Sequence, residues 1–220
     1  MNINITNKVV ESYVDSLYKA ANEELAQLRA FAKENHVPVI LEDTEGLLLN
    51  LLRIKKPEAL LEVGTAIGYS ACTFVSGCGC HVTTVELDHN MADIARTNIK
   101  AFGFEDKIDV IEGDASDVLE DLNAKGRKFD VFFLDAAKSH YRHYFDLCVE
   151  MSNNDALIIC DNVLMKGMTA SDEFDTRKRY KTSIRHMRNF LDYINTRDYA
   201  QTCVLPLGDG VSLSVISKNE

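Results

Sequence analysis

The apolar run Ala59 to Val63 breaks into Gly64. A second glycine, Gly68, follows four residues later, ahead of a stretch at helical spacing from Ser70 to Val75. A short apolar run bounded by glycine reads as a buried strand. Glycine permits a tight turn and lets the backbone lie against a ligand. Strand, glycine turn and helix start form the arrangement that holds nucleotide-like cofactors. A ligand-free turn would look similar, so a second signal is needed. His81 to Leu87 reads as the next strand, with Glu86 near its end. That places a carboxylate about twenty residues past the turn, where it can accept both ribose hydroxyls of an adenosine. The third glycine of the dinucleotide fingerprint is missing, which argues against a nicotinamide enzyme.

From Ala59 onward the pattern alternates. Strands are predicted at 59–64, 81–87, 107–113, 129–135, 156–161, 199–206 and 211–217, and helices near 69–76, 89–102, 115–122, 138–151 and 177–195. This implies an α/β fold, a mainly parallel sheet with helices on both faces. Only Leu207-Gly208-Asp209-Gly210 separates the last two strands. That gap suits a hairpin and not a crossover, so one antiparallel strand is expected.

Before the sheet, Val10, Tyr13, Val14 and Leu17, then Leu25, Leu28 and Phe31, recur at helical spacing. Val37-Pro38-Val39-Ile40 is expected to be extended. A third helix runs on from Thr44, capped by Asp43 or Thr44, until Lys55-Lys56-Pro57 ends it. Three helices thus precede the sheet and cover one face or edge of it, or form a dimer contact. The chain reads as a single domain over 1–220, with a helical extension at 1–56 and a core at 57–220.

The 220 residues are 46% hydrophobic and 26% charged, enough for a full core and unlike a disordered chain. No apolar run approaches a membrane span, and Met1 to Lys8 has no signal-peptide core, so a cytoplasmic protein with no membrane partner is expected. Six cysteines fit that compartment. Cys72, Cys148, Cys160 and Cys203 sit in apolar segments and read as small core residues. Cys78, Cys80 and His81 form a C-x-C-H cluster, but without a second pair at ligand spacing it does not read as a zinc site. The net charge of −10 argues against indiscriminate nucleic-acid binding and leaves room for a local basic site.

In open α/β sheets the ligand sits outside the carboxyl ends of the strands. Those ends carry Gly64, Glu86, Asp114-Ala115, Asp135 and Asp161-Asn162. Asp114 serves equally well as a cap for the helix that follows. Asp135 follows Val131-Phe132-Phe133-Leu134, and a carboxylate there is held for a reason. Asp135, Asp161 and Asn162 offer three oxygens to a hard divalent cation such as magnesium. The alternative is that Asp135 pairs with Lys138 while Asp161 and Asn162 make turn hydrogen bonds.

Four motifs now stand in order: Leu61-Glu62-Val63-Gly64-Thr65-Ala66-Ile67-Gly68-Tyr69-Ser70, Leu134-Asp135-Ala136-Ala137-Lys138, Asp161-Asn162-Val163-Leu164 and Leu207-Gly208-Asp209-Gly210. From about Asn35 to its end the chain resembles the metal-dependent class I S-adenosylmethionine O-methyltransferases of the catechol and caffeoyl-CoA type. Within that family it is most similar to the bacterial branch that methylates 5-hydroxyuridine in transfer RNA. That likeness rests on His36-Val37-Pro38-Val39-Ile40, on Asp161 to Gly167 and on the basic stretch that follows. The resemblance implies a Rossmann-like, seven-stranded, mostly parallel sheet and a homodimer. It implies S-adenosylmethionine in contact with Ile40, Gly64, Ser70, Glu86, Asp114, Ala115 and Asp135. It implies magnesium or manganese on Asp135, Asp161 and Asn162, with Lys138 and Asp135 catalytic. The catechol enzymes carry a tryptophan immediately before the lysine. Here Ala137 stands in that place, and the chain has no tryptophan.

Such a site needs a substrate with two adjacent oxygens, which both catechols and 5-hydroxyuracil present. Arg177, Lys178, Arg179, Lys181, Arg185 and Arg188 put six basic residues into twelve positions. On a helix with Ile184, Met187, Leu191 and Ile194 inward, much of this set faces out, as a patch for RNA phosphates. The alternatives are a solvated helix face balanced by Asp172, Glu173 and Asp175, and a small catechol-like substrate.

Overall fold

The computed structural model describes residues 8–176 and 178–218. Three helices come first, α1 (Lys8–Ser16), α2 (Glu23–Glu34) and α3 (Glu42–Lys55). Strand–helix alternation follows: β1 (Ala59–Val63), α4 (Tyr69–Cys78), β2 (His81–Glu86), α5 (His89–Ala101), β3 (Ile108–Glu112), α6 (Ala115–Ala124), β4 (Phe129–Leu134), α7 (Tyr141–Met151), β5 (Ser152–Cys160), α8 (Lys181–Ile194), β6 (Ala200–Leu205) and β7 (Val211–Ile216). The sheet has seven strands in the order β3-β2-β1-β4-β5-β7-β6. The pairs among β1 to β5 are parallel, and β7 runs antiparallel to both β5 and β6. The expected Rossmann-like architecture and the single antiparallel strand are both present.

Central strands buried on both faces explain the near-continuous apolar runs. One core layer packs β-sheet residues such as Leu61, Val63 and Phe132 against Leu119, Phe145, Met187 and Phe190 of α6, α7 and α8. The other packs Leu60, Val131 and Phe133 against Phe74 of α4, Ile99 of α5 and the N-terminal helices, through Leu25, Leu28, Leu48 and Leu52. The strand order reverses between β1 and β4, so a crevice opens at their carboxyl ends.

Four readings are corrected. Helix α3 begins at Glu42, and its cap position, Leu41, makes no side-chain cap bond. Asp43 instead accepts from Gly208 N (2.9 Å) and Thr44 N (2.7 Å), which ties α3 to the β6–β7 hairpin. The helix expected from residue 138 starts as a one-turn 3-10 segment, Lys138–His140, before α7. Cys203 is exposed, because β6 is an edge strand whose alternate side chains face solvent. Finally, α8 begins at Lys181, so Lys178 and Arg179 precede the helix, and Arg177 lies outside the described residues. The Asp175 carboxylate accepts from Arg179 N (3.2 Å) and Tyr180 N (3.3 Å), and that turn delays the helix.

Candidate active site

A cavity of about 780 Å³ opens at the switch between β1 and β4. Ile40, Gly64, Ser70, Glu86, Asp114, Ala115, Asp135, Asp161 and Asn162 all line it. The volume falls in the range of small-molecule sites, roughly 300–1,000 Å³.

Gly64 ends β1 at φ 105, and a Cβ there would collide with the backbone carbonyl of Asp135. Glycine is therefore required where the two switch-point strands diverge. Gly68 then caps α4 in a left-handed conformation, leaving Tyr69 and Ser70 in the first turn beside the cavity. Glu86 reaches back from β2: its carboxylate accepts from Ala66 N (2.8 Å) and Asp88 N (2.9 Å). It braces the glycine turn while facing the cavity. Asp114 combines two positions. It caps α6 by accepting from Ser116 N (2.8 Å), and it lines the cavity.

Beneath the turn, Glu62 is fully buried in β1. Thr84 donates to its Oε2 at 2.6 Å, and Thr65 and Thr84 share a hydrogen bond of 2.6 Å. Burial pushes the Glu62 carboxyl up to about 7, against hydrogen bonds from Ser70 and Thr84 that pull it down. A second buried network holds the N-terminal helices to the turn. Tyr69 donates to Glu45 (2.7 Å), Arg29 donates to Tyr69 (3.0 Å) and pairs with Glu45 (2.5 Å), and Tyr18 donates to Glu45 (2.8 Å).

At the other end of the cavity, Asp135 follows β4 while Asp161 and Asn162 follow β5. Asp161 is 2% exposed. Its carboxyl is pushed up to about 7 by burial and then by the charge of Asp135. Burial also raises Asp135, with Lys138 opposing. Lys138 donates to Asn162 Oδ1 at 2.9 Å and stands 3.7 Å from Asp135. Buried Tyr141 donates to the carbonyls of Leu134 (3.1 Å) and Asp161 (3.0 Å), fixing the two strand ends relative to each other. Asn162 sits at φ 55, and Met165 and Lys166 also have positive φ. Backbone in that region is strained for a side-chain-bearing residue and persists only where its surroundings hold it. Here Val163 N and Leu164 N donate to Gly210 O (2.8 Å) and Asp209 O (3.0 Å), so the hairpin loop clamps the segment.

Among the described residues no group of three or more His, Cys, Asp or Glu side chains is arranged to hold a metal. The candidate donors here are two carboxylates and an amide. Hard oxygens suit magnesium or manganese, and a cation there would offset the burial and the Asp135 charge that raise Asp161. By that test the residues fit the ion.

The lining also includes His140, Tyr144, Lys166 and Asp209, side chains with chemistry of their own that carried no assigned role in the sequence. His140 and Tyr144 stack with centroids 5.7 Å apart, an aromatic wall close to Ala137, where the catechol enzymes have their tryptophan. Their spacing of four, from the end of the 3-10 turn into the first turn of α7, was the available signal. The Asp209 carboxylate accepts from the Lys166 backbone, a partner no local pattern reveals.

The described residues of the predicted basic stretch lie outside this cavity. Lys178, Arg179, Lys181 and Arg185 are exposed. Arg188 is committed elsewhere: it donates to Thr169 O (2.8 Å) and Met168 O (3.2 Å) and pairs with Asp172 (2.7 Å).

The chain resembles known proteins along almost its whole length. A family model described as O-methyltransferase matches residues 15–216. A caffeoyl-CoA O-methyltransferase of Stellaria longipes is 30% identical over 206 residues, 90% of this chain and 85% of the relative. A catechol O-methyltransferase of Mycobacterium tuberculosis is 30% identical over 172 residues, 76% of this chain and 77% of the relative. Among solved structures, an O-methyltransferase from Bacillus cereus in complex with SAH superposes with a TM-score of 0.82 at 26% identity, covering 95% of this chain and 97% of the other.

Proposed function

The chain belongs to the O-methyltransferase family, as an S-adenosylmethionine-dependent enzyme, and on that premise we propose that it uses a divalent cation to methylate 5-hydroxyuridine at the wobble position of transfer RNA, giving 5-methoxyuridine. The observation that carries the RNA substrate is the exposed run Lys178, Arg179, Lys181 and Arg185 in a chain of net charge −10. In the chain it comes after the segment that carries Asn162 and Lys166, which line the cavity. A positive patch there suits the phosphates flanking a nucleotide inserted into the site.

In this reading Glu86 accepts the ribose hydroxyls of the cofactor, and Asp114 and Ala115 meet its adenine, with His140 and Tyr144 alongside. Asp135, Asp161 and Asn162 hold the cation. Bound there, it supplies the Lewis acidity that lowers the pKa of a hydroxyl beside a second oxygen. Lys138 either takes the hydroxyl proton as a neutral amine or, as the ammonium that already reaches across these donors, holds the oxyanion. Gly64 and Tyr141 keep the strand ends in register, so catalysis is largely positioning.

The relatives' names favour a second reading, a small catechol or acyl-CoA substrate. Hypomodified transfer RNA bearing 5-hydroxyuridine, supplied with labelled S-adenosylmethionine and magnesium, separates the two. Label in 5-methoxyuridine supports the RNA reading. Label absent from RNA but transferred to a catechol overturns it.

The proposal extends to a homodimer. Val10 and Tyr13 of α1, with Leu17 just past its end, recur at helical spacing and are 55%, 65% and 60% exposed. An apolar face of this kind marks an association surface. A single-chain mass in light scattering would remove this part.

A further inference from the structure

Arg29, in α2, ties together two walls of the cavity. One wall is Pro38 to Leu41, the segment that leads into α3. The other is Tyr69 and Ser70, in the first turn of α4. The guanidinium reaches both. It pairs with Glu42 at 3.5 Å, one residue past Leu41, and with Glu45 at 2.5 Å, one turn further along α3. Toward α4, its Nε donates to the Tyr69 hydroxyl at 3.0 Å. That hydroxyl donates in turn to Glu45 Oε2 at 2.7 Å, so Arg29, Glu45 and Tyr69 close a triangle. Tyr18, from the link between α1 and α2, covers it. Its hydroxyl donates to Glu45 Oε1 at 2.8 Å. The guanidinium lies over both rings, 5.1 Å from the Tyr18 centroid and 4.7 Å from that of Tyr69.

The Glu45 side chain is 1% exposed and that of Arg29 13%. A buried ion pair adds little net stability over an apolar replacement, because both charges lose their water. What it supplies is direction: the guanidinium fork fixes where its partners stand. Here the partners carry the two walls, so the fork sets their separation.

The cofactor is an adenosine joined through sulfur to a zwitterionic amino-acid tail. With its ribose at Glu86, its adenine at Asp114 and Ala115 and its sulfur toward Asp135 and Asp161, the tail falls between the walls that Arg29 joins. The Ser70 hydroxyl is there, and the N–H groups of a helix's first turn suit a carboxylate. Resting on that placement, we infer that Arg29 is a positioning residue for the amino-acid tail of the cofactor. Acting through Tyr69 and Glu42, it holds the two walls at the spacing that grips the tail.

The test compares two ligands by calorimetry: S-adenosylhomocysteine, which carries the tail, and methylthioadenosine, which lacks it. Arg29→Lys keeps a charge beside Glu45 and loses the fork. Its affinity for S-adenosylhomocysteine is expected to fall about tenfold or more, the scale of a charge-assisted hydrogen bond, while that for methylthioadenosine holds. Arg29→Met combined with Glu45→Met removes both buried charges together, which spares the fold, and should show the same selective loss. In wild-type protein, S-adenosylhomocysteine and not methylthioadenosine should slow hydrogen exchange in α2 around Arg29. Equal losses for the two ligands overturn the inference, since an arginine that merely supports the fold weakens the whole pocket. So does unchanged affinity for S-adenosylhomocysteine in Arg29→Lys, or wild-type exchange in α2 that is the same with either ligand. Glu86→Ala reports on the placement separately: wild-type affinity for both ligands in that variant overturns the placement, and the inference with it.

Discussion

Lys138 donates a 2.9 Å hydrogen bond to the side-chain oxygen of Asn162, so one ammonium from the start of the 3-10 turn reaches a donor at the end of β5. Its charge also faces Asp135 at 3.7 Å. The lysine is placed to act on an oxygen held among these groups. Lys138→Met is expected to lower turnover by about 10²–10⁴-fold, the usual contribution of a positioned proton-transfer group. Cofactor affinity is expected to be unchanged, since the contacts of the Lys138 ammonium are with Asn162, Asp135 and Tyr141 and not with Glu86 or Asp114. Parallel kinetics and calorimetry check this. A large loss of cofactor affinity would assign Lys138 a different role.

Asp161 shows a site built against stability. A charged carboxylate 2% exposed and beside Asp135 is unfavourable when no counter-charge offsets the pair. Asp161→Asn is expected to abolish turnover while stabilising metal-stripped protein by on the order of 1–2 kcal/mol, as functional-site replacements do. Thermal melts of the metal-stripped proteins read that gain. Wild-type turnover should stop in chelator and return with magnesium or manganese. Full activity in chelator would remove the metal from the reaction.

The strand ends were readable from sequence because each follows an apolar run, and the period of such runs fixes where a chain leaves the sheet. Gly64, Asp135 and Asp161 were located in this way. What failed depended on partners distant in the chain. Asp43 looked like a helix cap, but its partner is Gly208, a residue in the hairpin between the last two strands. Lys178 and Arg179 looked helical because their spacing continues that of α8, and it is Asp175 that holds them in a turn. His140 and Tyr144 gave no signal beyond spacing, since an aromatic wall and an ordinary helix face share one pattern.

Glu86 supports the glycine turn through Ala66 N and Asp88 N as well as facing the cavity. Glu86→Ala is expected to weaken S-adenosylmethionine binding by about 1–3 kcal/mol, the scale of lost charge-assisted hydrogen bonds. Glu86→Gln keeps an acceptor and should lose less. Calorimetry that finds both variants at wild-type affinity would exclude Glu86 from the cofactor site.

Glu62 makes stability depend on pH. Its carboxyl is raised from 4.5 to about 7 in the folded chain, so between those values the folded state holds the proton more tightly than the unfolded state. Stability therefore falls as pH rises through that window and levels off above it, by on the order of 3 kcal/mol for this group. Glu62→Gln should flatten that part of the profile and leave the variant relatively more stable at pH 8 than at pH 5. Thermal melts across the window decide. Identical slopes for the two proteins would mean that Glu62 does not titrate there.

The substrate prediction turns on charge outside the cavity. Lys178, Arg179 and Lys181 are exposed, and none of them lines the cavity. If they meet RNA phosphates, reversing all three to Glu removes that neutralising charge and adds repulsion. Affinity for transfer RNA should fall by orders of magnitude at low salt. The slope of log affinity against log salt should also become shallower by about 0.7–0.9 for each phosphate no longer neutralised, because fewer counterions are released on binding. Cofactor affinity and melting temperature should stay at wild-type values, since the reversed side chains touch neither the cavity nor the core. Arg188→Glu is a control of another kind: it breaks the bonds to Met168 and Thr169, so it should lower the melting temperature. A small-molecule enzyme gives a different pattern. Its wild type shows no salt-sensitive RNA binding for the triple variant to lose, and the triple variant turns over a catechol at the wild-type rate.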